Sequence, residues 1–205
     1  MKHTMIFLFI PVLFFGQKNA ATVTYKNGSK RTGLADLPSE VNKKGEIRFK
    51  ESEASKKELI SLTELSGIEY TSPDGKNKAM GIPVTYAGKL YWVYKVYEEK
   101  GITIYTTTKQ DVTNLGGVPN RSIYGKGTSF FIKYKDKEIQ PILTWYDAGP
   151  LTINTFQKKA NIKYILKFFK DDCPTMEKAY DNGEIKFDKT PFPFIEFYQK
   201  NCNSN

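Results

Sequence analysis

The chain carries a single histidine, His3, in 205 residues. Beyond that position, Ser-His-Asp and Cys-His activation of a nucleophile are excluded in their ordinary form. Zinc sites built on imidazole go with them. Cysteine is almost as scarce, with only Cys173 and Cys202. Long apolar runs are lacking too: Met5–Phe15 falls short of the roughly 17–25 residues that span a bilayer, and nothing later approaches that length. Walker, G-x-G-x-x-G, H-E-x-x-H and EF-hand patterns are missing, so no cofactor and no metal is expected. Carboxylate chemistry survives these exclusions, because it needs only oxygen groups.

What is present begins with a leader. Lys2, the apolar block Met5–Phe15 and then polar Gln17, Lys18 and Asn19 have the form of a secretory signal peptide, residues 1–16. Cleavage is expected after Gly16, with Ala20 as the other option. No cysteine lies near its end, so the expectation is export without a lipid anchor, to the periplasm, cell surface or medium. In an oxidising compartment the two cysteines read as one disulfide, Cys173–Cys202. A loop of that length adds roughly 3–4 kcal/mol of stability in the chain-entropy picture.

The formal charge is +9, and Lys2 leaves with the leader. A basic balance favours lipid head groups or acidic polysaccharides. An exported chain seldom meets nucleic acid, so no nucleic-acid partner is expected. The same lysines also serve solubility alone. Hydrophobic content of 40% with 14% aromatics supports a packed core rather than a disordered chain.

Residues 17–72 read as a small β unit. ATVTYK, Asn27-Gly28 and SKRTGL give two strands joined by a type I′ turn. EIRFK places Ile47 and Phe49 on one face, and KELIS is a further strand. Ser61 and Glu64 have capping-box spacing, which predicts one helical turn ended by Gly67. GIEYT closes the unit through Ile68 and Tyr70. This order of strands with a single helical turn before the last resembles the five-stranded barrels of the SH3-like or Sm-like kind.

Ser72–Lys78, SPDGKNK, is turn-rich and marks the expected boundary before an antiparallel sheet unit, residues 80–150. In LYWVYKVYEE, Tyr91, Val93, Lys95 and Tyr97 share one face and Trp92, Tyr94 and Val96 the other. With both faces largely apolar, the strand belongs in the middle of a covered sheet. Tyr91, Trp92 and Tyr94 are also candidates for a ligand-stacking platform, since aromatic faces suit exposed binding surfaces. EEKG turns the chain into ITIYTTTK. Asp111–Gly127 reads as a long connection. SFFIKYK and EIQPIL form a hairpin in which Pro141 assigns the last strand to an edge.

After Asp147–Pro150 the period becomes helical, opening a three-helix segment, residues 151–205. From Phe156 to Lys170, Ala160, Ile162, Tyr164, Ile165, Leu166, Phe168 and Phe169 cover over half the circumference at about 100° per residue. So wide an apolar arc predicts a largely buried helix. Lys159, Lys163, Lys167 and Lys170 fill the remaining arc, roughly 80° wide, and are candidates for contact with an anionic surface. Asp172 is placed to cap a second helix, Thr175–Asn182, ended by Gly183. Thr190, Pro191 and Pro193 start a third, FIEFYQKNC. The fold class is therefore α+β, with a barrel-like N-terminal unit, a central antiparallel sheet and helices clamped by one disulfide.

The tail FFKDDCP followed by EFYQKNC resembles that of a family of exported Bacteroidota proteins with no assigned activity. Phe169, Lys170, Asp172, Cys173, Pro174, Tyr198 and Cys202 carry the likeness. It implies an exported chain with a β-rich body and no particular chemistry. The expected function is a non-enzymatic binding protein of the envelope, meeting an envelope protein, a glycan or an anionic membrane surface. The alternative is a carboxylate-based hydrolase of envelope polysaccharide, with Asp111, Asp147, Asp171 and Asp172 as the available acids.

Overall fold

The computed structural model describes residues 19–37, 45–72, 74–107, 128–145 and 151–202, with backbone alone for 151–154. The leader, the whole Asp111–Gly127 connection and Asp147 lie outside the described residues. Ten strands are described: β1 Asn19–Tyr25, β2 Lys30–Ala35, β3 Glu46–Lys50, β4 Glu58–Ser61, β5 Leu65–Thr71, β6 Lys78–Tyr86, β7 Lys89–Glu99, β8 Ile102–Thr106, β9 Thr128–Tyr134 and β10 Gln140–Trp145. Three helices follow: α1 Leu151–Phe169, α2 Met176–Asp181 and α3 Phe192–Asn201. The strands form one antiparallel sheet in the order β10-β9-β8-β7-β6-β5-β1-β2-β3-β4.

The first five strands follow the expected order, and a 3-10 turn, Leu62–Glu64, precedes β5. Ser61 caps that turn, accepting the Thr63 N–H at 3.3 Å. They do not close into a barrel. β5 pairs with β1 on one side and β6 on the other, which leaves β4 as a free edge. The sheet instead runs on through the Ser72–Asn77 turn, where the Ser72 N–H donates to the Asn77 carbonyl at 2.9 Å.

Local turn chemistry also differs from expectation. At Asn27-Gly28 only the glycine takes a positive φ (+85°), and Gly28 N–H bonds back to the Tyr25 carbonyl. That is a three-residue loop closed by a glycine bulge rather than a type I′ turn. Two consecutive positive φ values occur at Ala87-Gly88 and Lys100-Gly101, where pairing runs directly across from Tyr86 to Lys89 and from Glu99 to Ile102. Gly67 lies inside β5 rather than ending the turn. A side chain there would press on the Gly81 carbonyl at 3.1 Å.

β7 sits centrally, as its two apolar faces demand, and links the packing of the two halves. Trp92 and Tyr94 enter a core built from β1 to β5. Val93 points the other way, toward Tyr105 and Phe131. The register slips between Lys95 and Tyr97, and beyond it Val96 and Tyr97 pack on a second core. That core joins β8, β9 and β10 to the helices through Ile104, Ile132, Ile165, Phe169 and Phe194. Cys173 and Cys202 are bonded with Cα atoms 5.4 Å apart, tying the end of α3 to the corner before α2.

Candidate functional site

The site that geometry assembles lies on the outer side of α1. No glycine or proline interrupts Leu151–Phe169, so the helix continues unbroken for 19 residues. Its buried residues are Ile162, Ile165 and Phe169, spaced three and four apart, with Leu166 and Phe168 partly buried beside them. This stripe is narrower than its composition predicts. Ala160 is exposed, and Tyr164, expected inside, is 42% exposed. α1 packs on β10 and, through Phe168 and Phe169, on Tyr134 of β9, so its described apolar residues on the other side stay exposed.

The four lysines are all exposed, as their arc predicts: Lys159, Lys163, Lys167 and Lys170. None of them takes part in an ion pair among the described residues. Phe156 lies in the middle of that arc, within about 20° of Lys163 and Lys167 on a helical wheel. It is 74% exposed, more than any other large hydrophobic side chain among the described residues.

A groove of about 510 Å³ runs between α1 and α2. The lysines form one wall, and Glu177, Asp181 and Tyr180 form the other. Ile162 and Leu166 line it as well. α2 presents its acids there because Met176 and Ala179 turn inward to the core. Gly183, at φ +78°, stops the helix where expected, its N–H bonded to the Tyr180 carbonyl at 3.0 Å. Sequence reasoning missed Phe156, Glu177, Tyr180 and Asp181. For Phe156 the signal was available, because helical geometry centres it among lysines.

The aromatic platform is not there. Trp92 is 1% exposed and Tyr94 is buried with it, the Tyr94 ring 6.4 Å from that of Tyr70. Tyr91 is half-buried against Phe131. Burial on both faces of a central strand closes Trp92 and Tyr94 to a ligand. Of the acids, Asp171 is exposed. Asp172 does not cap α2; its carboxylate accepts from Lys135 Nζ at 2.6 Å. That bond, opposed by partial burial, holds the Asp172 carboxyl below the usual carboxylate range. Among the described residues no cluster of three or more His, Cys, Asp or Glu is placed to hold a metal ion. No helix among them is long and apolar enough to cross a membrane. Family models, curated proteins and solved structures yield no match to this chain.

Proposed function

We propose that this chain is an exported, non-enzymatic binding protein of the cell envelope, working through the lysine face of α1. The observation that carries the reading is one helix face with four exposed lysines, none of them in an ion pair among the described residues. Cations left unneutralised over a whole face attract a negatively charged surface from a distance and hold it by many weak contacts. The leader sequence and the Cys173–Cys202 bridge support export, since disulfides persist in oxidising compartments. The likeness of the tail to exported Bacteroidota proteins belongs to the same proposal.

The test is binding of the purified mature chain to isolated envelope fractions, compared with a Lys163→Glu/Lys167→Glu variant. Binding should fall with added salt and be lost in the variant. Equal binding by both proteins would sink the proposal.

A further inference from the structure

We infer that α1 is a bilayer-docking helix: it lies on anionic phospholipid with Phe156 entering the interface and the lysines around it on the head groups. This rests on the reading of the basic face given above and names its target. Three features of the helix distinguish a bilayer from a soluble polyanion. Leu151–Phe169 contains no Asp or Glu, so nothing on the helix itself repels an anionic plane. Phe156 stands 74% exposed among the cations, where a purely ionic ligand would have no use for it. Tyr164, 42% exposed, flanks the same face and lies near Tyr86, itself 41% exposed at the end of β6.

Exposed aromatic rings interleaved with lysines suit the head-group boundary, where the apolar ring enters and the ammonium groups stay wet. Tyrosine is at home at that depth because its ring is apolar and its hydroxyl polar. At 1.5 Å per residue α1 is about 28 Å long, enough to lie along a surface as one rigid rod. Glu177 and Asp181 oppose such contact, and they stand on α2 across the groove. The four lysines share that groove, so docking is directed to the side of the arc where Phe156, absent from the groove lining, stands about 80° or more from Ile162 and Leu166 on the helical wheel. Charge and insertion act together: the lysines bring the helix to the plane, and the phenyl ring holds it there.

The experiment uses the full mature chain and phosphatidylglycerol vesicles, with phosphatidylcholine vesicles as the neutral control. Phe156→Trp serves as a reporter, read by quenching with brominated lipid. Trp92 and Trp145, 1% and 6% exposed, supply a constant background measured in the unsubstituted chain. Quenching of the reporter on anionic vesicles alone is the expected result. Partitioning should drop about tenfold in Phe156→Ser and about fivefold for each lysine neutralised. All of these side chains are exposed, so the circular dichroism of each variant should match the parent.

Absence of binding to anionic vesicles at low salt, or binding with no quenching of the reporter, would overturn the inference. If the Lys163→Glu/Lys167→Glu variant then loses binding to delipidated envelope, the basic face still binds and only the bilayer is the wrong target. If that variant binds whole envelope as the parent does, both readings fall.

Discussion

The side-chain amide of Asn161 holds the backbone of Thr144 at the outer edge of β10. Asn161 Nδ2 donates to the Thr144 carbonyl at 2.8 Å, and the Thr144 N–H donates to Asn161 Oδ1 at 3.4 Å. β10 is an edge strand, and an exposed edge is a template for pairing with another chain. A helix residue thus occupies the place an eleventh strand would take. Replacing Asn161 by Leu removes both bonds and leaves two strand groups without partners. The expected loss is about 1–3 kcal/mol, read as a lower urea midpoint, with light scattering that grows with concentration. An unchanged midpoint would mean that the amide is ornamental.

The disulfide closes a 29-residue separation that contains both α2 and α3. In the chain-entropy picture such a loop contributes about 3.5 kcal/mol by restricting the unfolded chain. Cys173→Ala/Cys202→Ala should lower the urea midpoint accordingly, and reductant should bring the parent chain down to the same value. If reductant has no effect on the midpoint, the bridge contributes nothing to stability.

Gly81 of β6 pairs with Tyr94, and the indole of Trp92, two residues along β7, leans diagonally over it. A methyl added at Gly81 would fall within 2.7 Å of the indole carbons Cε2 and Cζ2. Gly81→Ala should therefore cost about 1–3 kcal/mol through overpacking. Adding Trp92→Phe should recover part of that cost, because the smaller ring vacates the overlap, so the two effects are not additive. Strict additivity in a double-mutant cycle would contradict the contact.

Tyr134 and Tyr198 share a buried hydrogen bond of 2.8 Å between their hydroxyls. Burial pushes the Tyr134 hydroxyl well above its ordinary value, against the pull of Lys135. Tyr70 is raised for the same first reason, and Tyr97 is pushed up to about 12 by burial and its bond to Glu99. In the unfolded chain all three return to about 10. Below that pH both states are protonated and stability is complete. Above it the unfolded chain ionises first, so stability should fall as pH rises from about 10 toward 12 and beyond. Urea midpoints across that range, with tyrosinate absorbance as the probe, provide the check. A flat profile would contradict the shifts.

Legibility in the sequence followed the range of the interaction. Ile47 and Phe49 alternate within one strand and are buried together. Pro141 removes one donor and does lie on an edge strand. β6 was unreadable because Gly81 and Pro83 interrupt its pattern. Its pairing with β5 ends at Ile68–Gly81, so Pro83 lies beyond it and is paired on the β7 side alone. Whether five strands close into a barrel depended on which strand β5 met on its free side. That choice is made by residues outside the first 72. The site divides in the same way: the lysine arc is local to one helix, whereas Glu177 and Asp181 face it only because α2 folds back.

On the proposal of export, β1 bears on where the leader would be cut. Asn19 pairs with Ala35, and Ala20 pairs with both Leu34 and Thr71. Cleavage after Ala20 would remove two rungs from one side of the strand and one from the other. Ala21 is then left, 3% exposed, as a charged N-terminus inside the N-terminal core. An unpaired charge there is costly. Cleavage after Gly16 keeps every rung and leaves the new terminus ahead of the strand. On the export reading, mass spectrometry of the secreted protein should therefore find Gln17 first. Ala21 in that place would mean that β1 forms without its opening residues.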